Sequence, residues 1–373
     1  MKITDIDTIM INSPGRKWTI VQVHTDAGIT GLGEATYSQK EPVVCAAVEH
    51  MMQELLGQDP ARIEYLWHHI IRQSSVSGIW RMSGPVWMSA LSGIDQALWD
   101  IKGKVAGLPV VELLGGFFRD RVEVYTHFGG TTPEDSAAQA KALVDQGFTA
   151  LKGGMSSSSP DRFDPYTETG APEQTAAHFA AVRQAVGPQT KLFIDCHGRL
   201  TVAGCIRLAR ALEPSDLFAF EDPVPPDDLA AYAKVRHAIN IPVMGSERLN
   251  TKSQFRQLLE LDGVDIAQPD LMYAGGITEV RKIAAIADTY HVPISPHNTK
   301  GPVGIAAATH LMASIPNTAP MELVTGIAWR DEIITQPLRI EEGCLLVPEG
   351  PGWGVELDMD GVEKHRWRAG EPR

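Results

Sequence analysis

The sequence predicts an α/β protein: a (β/α)8-type (TIM-like) barrel with an α+β capping domain formed by the N-terminus and the C-terminal tail. Three observations predict it. Acidic residues close three short apolar runs, at Asp195, Glu221 and Glu247, with 26 residues between each pair. The interval then continues to Asp270 after 23 residues, His297 after 27 and Glu322 after 25. A period near 25 residues suits one strand, one helix and two loops. Finally, strand and helix signals alternate from about residue 119 onward, which implies a parallel sheet. A barrel of this kind builds its active site at the C-terminal ends of successive strands.

Residues 1–118 read as the α+β cap. Strands are expected at 2–12, 18–23 and 29–34, with Asp26-Ala-Gly28 as a turn. Helices are expected at 42–56 and 61–73. The clearest helix lies at 85–105, where Trp87, Leu91, Ile94, Leu98, Ile101 and Val105 make one apolar stripe. Gly115-Gly116 and Arg119-Asp120-Arg121 mark the boundary. Residues 119–324 read as the barrel, with strands at 122–127, 149–152, 191–195, 217–221, 242–246, 264–268, 292–296 and 319–322. Residues 153–171 are a polar loop with four serines in a row. From residue 325 to 373 the alternation stops, and a Gly/Pro-rich tail with strands near 338–347 and 354–357 is expected to return to the cap.

Composition sets limits. The chain has 373 residues, 43% hydrophobic and 21% charged, which is ordinary for a soluble globular protein. A net charge of −13 argues against a nucleic-acid partner. An anionic substrate still fits, because a bound divalent cation inverts the local field. The four cysteines form no CxxC pair, and no signal peptide or membrane span is visible, so reduced thiols and a cytoplasmic location are expected.

The chemistry follows from the strand ends. Three carboxylates in register would repel one another without a cation. Asp195, Glu221 and Glu247 therefore read as ligands of a hard divalent ion, Mg2+ with Mn2+ as the alternative. Asp270 and His297 read as a pair in which the carboxylate orients the imidazole as a general base. His197 lies two residues past Asp195. Alternation along an extended strand end sends both side chains the same way, so His197 reads as an acid facing His297. Lys152, ending strand two, suits a substrate carboxylate. Glu322, ending strand eight, suits a hydrogen bond to a developing enediolate. Arg199 reads as a carboxylate clamp or a salt bridge, and His127 as a pocket wall. The loops 13–18 and 74–85, with Arg16, Lys17, Trp18, Trp80 and Arg81, suit a polar anion under an aromatic lid. Together these parts describe proton abstraction beside a carboxylate and loss of water.

At these residues the chain resembles the enolase superfamily, mandelate racemase-like group, over essentially its whole length. The stretch from Met88 to Lys104 is similar to one typical of that group. Asp195-Cys-His197-Gly-Arg199, Gln268-Pro-Asp270, Ala274-Gly-Gly-Ile-Thr-Glu279 and Pro296-His297 bring it closest to the D-galactonate dehydratase family. The resemblance implies Mg2+ on the three carboxylates, the Asp270–His297 base, the His197 acid, and a sugar acid dehydrated to a 2-keto-3-deoxy acid. A homo-oligomer, from dimer to octamer, is expected. Racemases of the group resemble Lys-x-Lys at strand two, whereas this chain has Lys152-Gly-Gly154. One opposed base is thus missing, which counts against simple racemisation. An epimerase or cycloisomerase of the same superfamily and a non-catalytic sugar-acid-binding protein are the alternatives.

Overall fold

The computed structural model describes residues 1–13, 16–72, 83–155 and 172–367, without the side chains of Ser13 and Arg16. The cap opens with an antiparallel sheet of β1 (Ile3–Ser13), β2 (Arg16–Thr25) and β3 (Thr30–Glu34). Helices α1 (Glu41–Leu55), α2 (Ile63–Arg72), α3 (Pro85–Ala106) and the short α4 (Val110–Leu113) follow. The expected single apolar stripe on α3 is too narrow. All residues from Met88 to Ile101 are buried, while Val105 is exposed. The helix is sandwiched, because β3 covers one side and the barrel another. A helix covered on several sides is apolar or small on several sides.

The barrel contains β4 (Arg121–His127), α5 (Pro133–Asp145), β5 (Ala150–Gly154), α6 (Pro172–Val186), β6 (Lys191–Asp195), α7 (Val202–Leu212), β7 (Ala219–Glu221), α8 (Leu229–Arg236), β8 (Val243–Gly245), α9 (Lys252–Glu260), β9 (Ile266–Ala267), α10 (Gly276–Thr289), α11 (Pro302–Ser314) and β10 (Met321–Glu322). Strands β4 to β9 pair in parallel, each with the next. The expected seventh strand at 292–296 is reduced to single bridges, from Ile294 to Ala267 on one side and to Thr318 on the other. β10 then pairs with β4 and closes the ring.

One residue from each of six strands (Tyr125, Ala150, Phe193, Ala219, Met244 and Ile266) forms an apolar cluster separate from the main core. This is the filled interior of a barrel. The tail does more than return to the cap. β11 (Ile340–Glu341) and β12 (Cys344–Leu346) form a hairpin that pairs antiparallel with the start of β4. Trp353 and α12 (Met359–His365) then reach the cap: the Trp353 indole N–H donates to Leu32 O, and Trp367 N donates to Met10 O. The segment expected as a strand at 354–357 makes an isolated bridge from Leu357 to Ile334 rather than a strand, and Glu356 O accepts from Thr335 N.

Four barrel helices carry their own N-caps: Thr132, Thr201, Asp228 and Thr251 accept from backbone N–H groups of α5, α7, α8 and α9. α10 and α11 have glycine at that place and no side-chain cap of their own. The cap domain supplies them instead. Asp95 on α3 accepts from Thr278 N at 3.1 Å, and Glu34 on β3 accepts from Gly301 N and Gly304 N at 2.8 and 2.9 Å. A Cβ at Gly276, whose φ is +77°, would stand 2.4 Å from Asp95 Oδ2, so this cap requires glycine there.

Candidate active site

Alternation along each strand carries the barrel interior into the site. Tyr125, Ala150, Phe193 and Ala219 point inward, so His127, Lys152, Asp195 and Glu221, two residues on, point into the mouth. Asp195 and Glu221 are register partners at the ends of β6 and β7. Glu247 lies two residues beyond β8.

Lys152 occupies the middle of the acidic group. Its Nζ lies 2.6 Å from Glu322, 2.8 Å from Glu221 and 3.3 Å from Asp195. Burial would strip its proton, but Glu221 and Glu322 outweigh that and hold the ammonium charged. Lys152 thus sits at the mouth end of β5 with its ammonium turned into the carboxylate group. Glu322, at the end of β10, belongs to the same cluster. Burial would favour its neutral form, but Lys152, His297 and His127 hold it ionised. An ionised carboxylate accepts and does not donate, so it anchors Lys152, His127 at 2.7 Å and Asn298 N at 3.0 Å.

His297 Nδ1 lies 2.5 Å from Asp270 Oδ2, while Nε2 faces Glu247 at 3.3 Å and Glu322 at 3.5 Å. Burial would lower its pKa, but Glu247, Glu322 and Asp270 raise it to about 9. Asp270 is itself fixed, its Oδ1 accepting from Met272 N at 2.7 Å.

His197 Nε2 lies 3.2 Å from Asp195 Oδ2. The path to this position differs from the extended one expected. β6 ends at Asp195, and His197 has φ +51°, so it sits in a left-handed turn. The Asp195 carboxylate organises that turn by accepting from His197 N at 2.8 Å. The two histidines thus flank the carboxylate row, His197 at Asp195 and His297 at Glu247.

Trp18 is corrected from a lid residue to a packing one. It lies within β2, fully buried, with its ring 4.5 Å from Trp329. A loop at 13–18 would have exposed it. Residues 16–18 are instead paired strand, Trp18 opposite Ile11. The Arg16 side chain, Trp80, Arg81 and the serine run at 156–159 lie outside the described residues. Arg199 is exposed two residues past His197.

Sequence reasoning missed Lys300. It is fully buried, 2.9 Å from Asp270 Oδ2 and 2.8 Å from the Tyr273 hydroxyl. A lysine three residues past His297, just before an apolar helix, was the available signal. It also missed Asp222. This residue has φ +40°, is buried beside Tyr232 and Arg248, and has a pKa raised to about 7 by burial and by Glu247.

Among the described residues, no three His, Cys, Asp or Glu side chains stand ready as a metal cage. The Lys152 ammonium takes the central place among the carboxylates instead. The donor chemistry nonetheless fits a hard cation. The set is all oxygen, and Glu221 Oε2 is buried with no hydrogen-bond partner. Burial and then the neighbouring Asp195 raise the Glu221 pKa.

Two family models match the chain: "Mandelate racemase / muconate lactonizing enzyme, N-terminal domain" over residues 8–115 and "Enolase C-terminal domain-like" over 135–361. A D-galactonate dehydratase of Ralstonia pickettii is 38% identical, over 96% of this chain and 92% of its own. A D-xylonate dehydratase of Haloferax volcanii is 34% identical, over 98% and 89%. The crystal structure of the 3,6-anhydro-D-galactonate cycloisomerase from Zobellia galactanivorans superposes with a TM-score of 0.88 at 36% identity, covering 99% of this chain and all of that one.

Proposed function

The chain belongs to the enolase superfamily, in its mandelate racemase-like group, and from that premise we propose that it dehydrates a sugar acid of the galactonate or gluconate kind. The carrying observation is the pair of histidines at opposite ends of one carboxylate row. With Nδ1–H of His297 given to Asp270, Nε2 of the neutral imidazole, turned toward the carboxylate row, is the atom that would take the proton α to the substrate carboxylate. His197 then gives a proton to the β-hydroxyl, which leaves as water. The enol that results tautomerises to a 2-keto-3-deoxy acid. The names of the dehydratase relatives support this class.

Asp195, Glu221 and Glu247 would hold Mg2+, or Mn2+, which supplies electrostatic stabilisation of the oxyanion developing on the substrate carboxylate. Glu322 and Lys152 keep that cluster in place. Gly154, register partner of Asp195, offers no second base on the β5 side. Domain limits at 118/119 and 324/325, a cytoplasmic location and a homo-oligomer belong to the same proposal. Among the described residues no helix is long and apolar enough to cross a membrane.

The test is the purified protein with Mg2+ against a sugar-acid library. A 2-keto-3-deoxy product, abolished by EDTA, is expected, and no such product from any aldonate or aldarate overturns the reading. His197→Asn should lose water elimination by roughly 10²–10⁴-fold while keeping α-proton exchange in D2O. Loss of both would undercut the division of roles. The cycloisomerase neighbour gives the second reading its standing. Exchange in wild type without keto product would favour it.

A further inference from the structure

Lys300 lies outside the carboxylate row, yet it is buried and shares an oxygen with the base pair. Its Nζ is 2.9 Å from Asp270 Oδ2, the same atom that meets His297 Nδ1. The ammonium also lies 2.8 Å from the Tyr273 hydroxyl and 4.0 Å from the centroid of that ring. The Tyr273 ring is in turn 6.0 Å from the His297 ring. Asp270 therefore has both oxygens engaged, Oδ1 by Met272 N and Oδ2 by Lys300 and His297. A carboxylate held on both sides cannot swing, and its plane fixes the imidazole it binds.

The cap domain grips the next peptide. Gly301 N donates to Glu34 Oε1, Gly304 N to Glu34 Oε2, and the Thr36 hydroxyl to Glu34 Oε1 at 2.6 Å. A Cβ on Gly301 would come within 2.8 Å of the Trp18 ring and 3.0 Å of Glu34, so the backbone beside Lys300 is clamped between cap and barrel. Tyr37, three residues past Glu34, packs edge-on against Tyr273 with centroids 4.9 Å apart. Tyr273, beside the ammonium, and the Gly301 peptide, next along the chain, thus both pack against the cap.

We propose that Lys300 is a positioning residue for the His297–Asp270 base, fixing the carboxylate that orients the imidazole, and that the Glu34 clamp of the cap sets its place. The proposal rests on the reading of His297 as the base. Its first test needs no substrate. The Nδ1–H of His297 gives a far-downfield proton resonance, assigned by its absence in His297→Asn. In Lys300→Met this resonance should move or broaden, with melting temperature close to wild type.

The second test is kinetic. On an aldonate that the wild type turns over, Lys300→Met should lower kcat and α-proton exchange together, by about 10²-fold as for a small misplacement of a reacting group, and leave KM within a few-fold. An unmoved resonance with unchanged kcat overturns the proposal. If Lys300→Met does not fold, Tyr273→Phe removes one tie of the ammonium and keeps its charge. A smaller change in the same resonance is then expected, and an unmoved one overturns the proposal. If no aldonate turns over, the proposed function fails while the resonance still reports on Lys300.

Discussion

At the scale of the residue, His310 shows how burial fixes a protonation state. It is fully buried in α11, with Nδ1 accepting from Val111 N at 3.2 Å and Nε2 meeting Trp353 O at 3.1 Å. An imidazole that must accept at Nδ1 cannot also carry a proton there. Burial accordingly lowers its pKa from 6.5 to about 4. The folded value lies below the unfolded one, so the unfolded chain binds the proton first. Its contribution is full above pH 6.5 and is lost as pH falls toward about 4, a change on the order of 3 kcal/mol. His310→Gln should therefore show a shallower loss of stability than wild type between pH 7 and pH 4 in urea unfolding. Parallel curves would refute the assignment. In the sequence His310 is one more histidine in an apolar helix, because both of its partners lie far away along the chain.

At the scale of the element, α3 and β3 touch through glycine. A Cβ on Gly33 would stand 1.9 Å from Gly93 O, and one on Gly31 2.1 Å from Ala97 O. The strand lies directly on the helix backbone, and side chains at these places would force the two apart. Gly33→Ala should cost about 3 kcal/mol or more as overpacking, read as a lowered urea midpoint. A wild-type midpoint would show that the contact yields. The glycines were visible in the sequence as a strand interrupted by glycine, and the α3 pattern located the helix almost to the residue. What the pattern did not show was that α3 is covered on several sides. An apolar stripe reports one face, whereas the buried Ser92 and Gln96 bond partners distant in the chain, Gly275 N and Glu34 O. The seventh strand was likewise legible as an apolar run, but its pairing reduces to bridges at Ile294.

At the scale of the molecule, the cap and the barrel share their stabilising groups. Glu34 and Asp95 cap barrel helices, Trp67 on α2 donates to Gly275 O, and Asp100 accepts from Trp353 N. Neither part can open without breaking these bonds, a net loss of about 0.5–1.5 kcal/mol for each. Calorimetry should thus give one unfolding transition. Trp353→Ala should lower that transition whole, by about 3–5 kcal/mol. Two separated transitions in either protein would show that the parts are independent.

The sequence by itself determined the superfamily, the barrel and the order of its strands. It also placed acids and histidines at successive strand ends, because strand and helix periods and the barrel interval are local properties of the chain. Only the tertiary structure decided what those groups do to one another. It placed Lys152 among three carboxylates and turned His197 into its position through a left-handed turn. It buried Trp18, and it set Lys300 on Asp270 under the clamp of Glu34. Each of these depends on a distance of a few ångströms between residues from about 30 to several hundred positions apart, or on a backbone turn, and no local pattern of hydrophobicity or charge encodes such a distance.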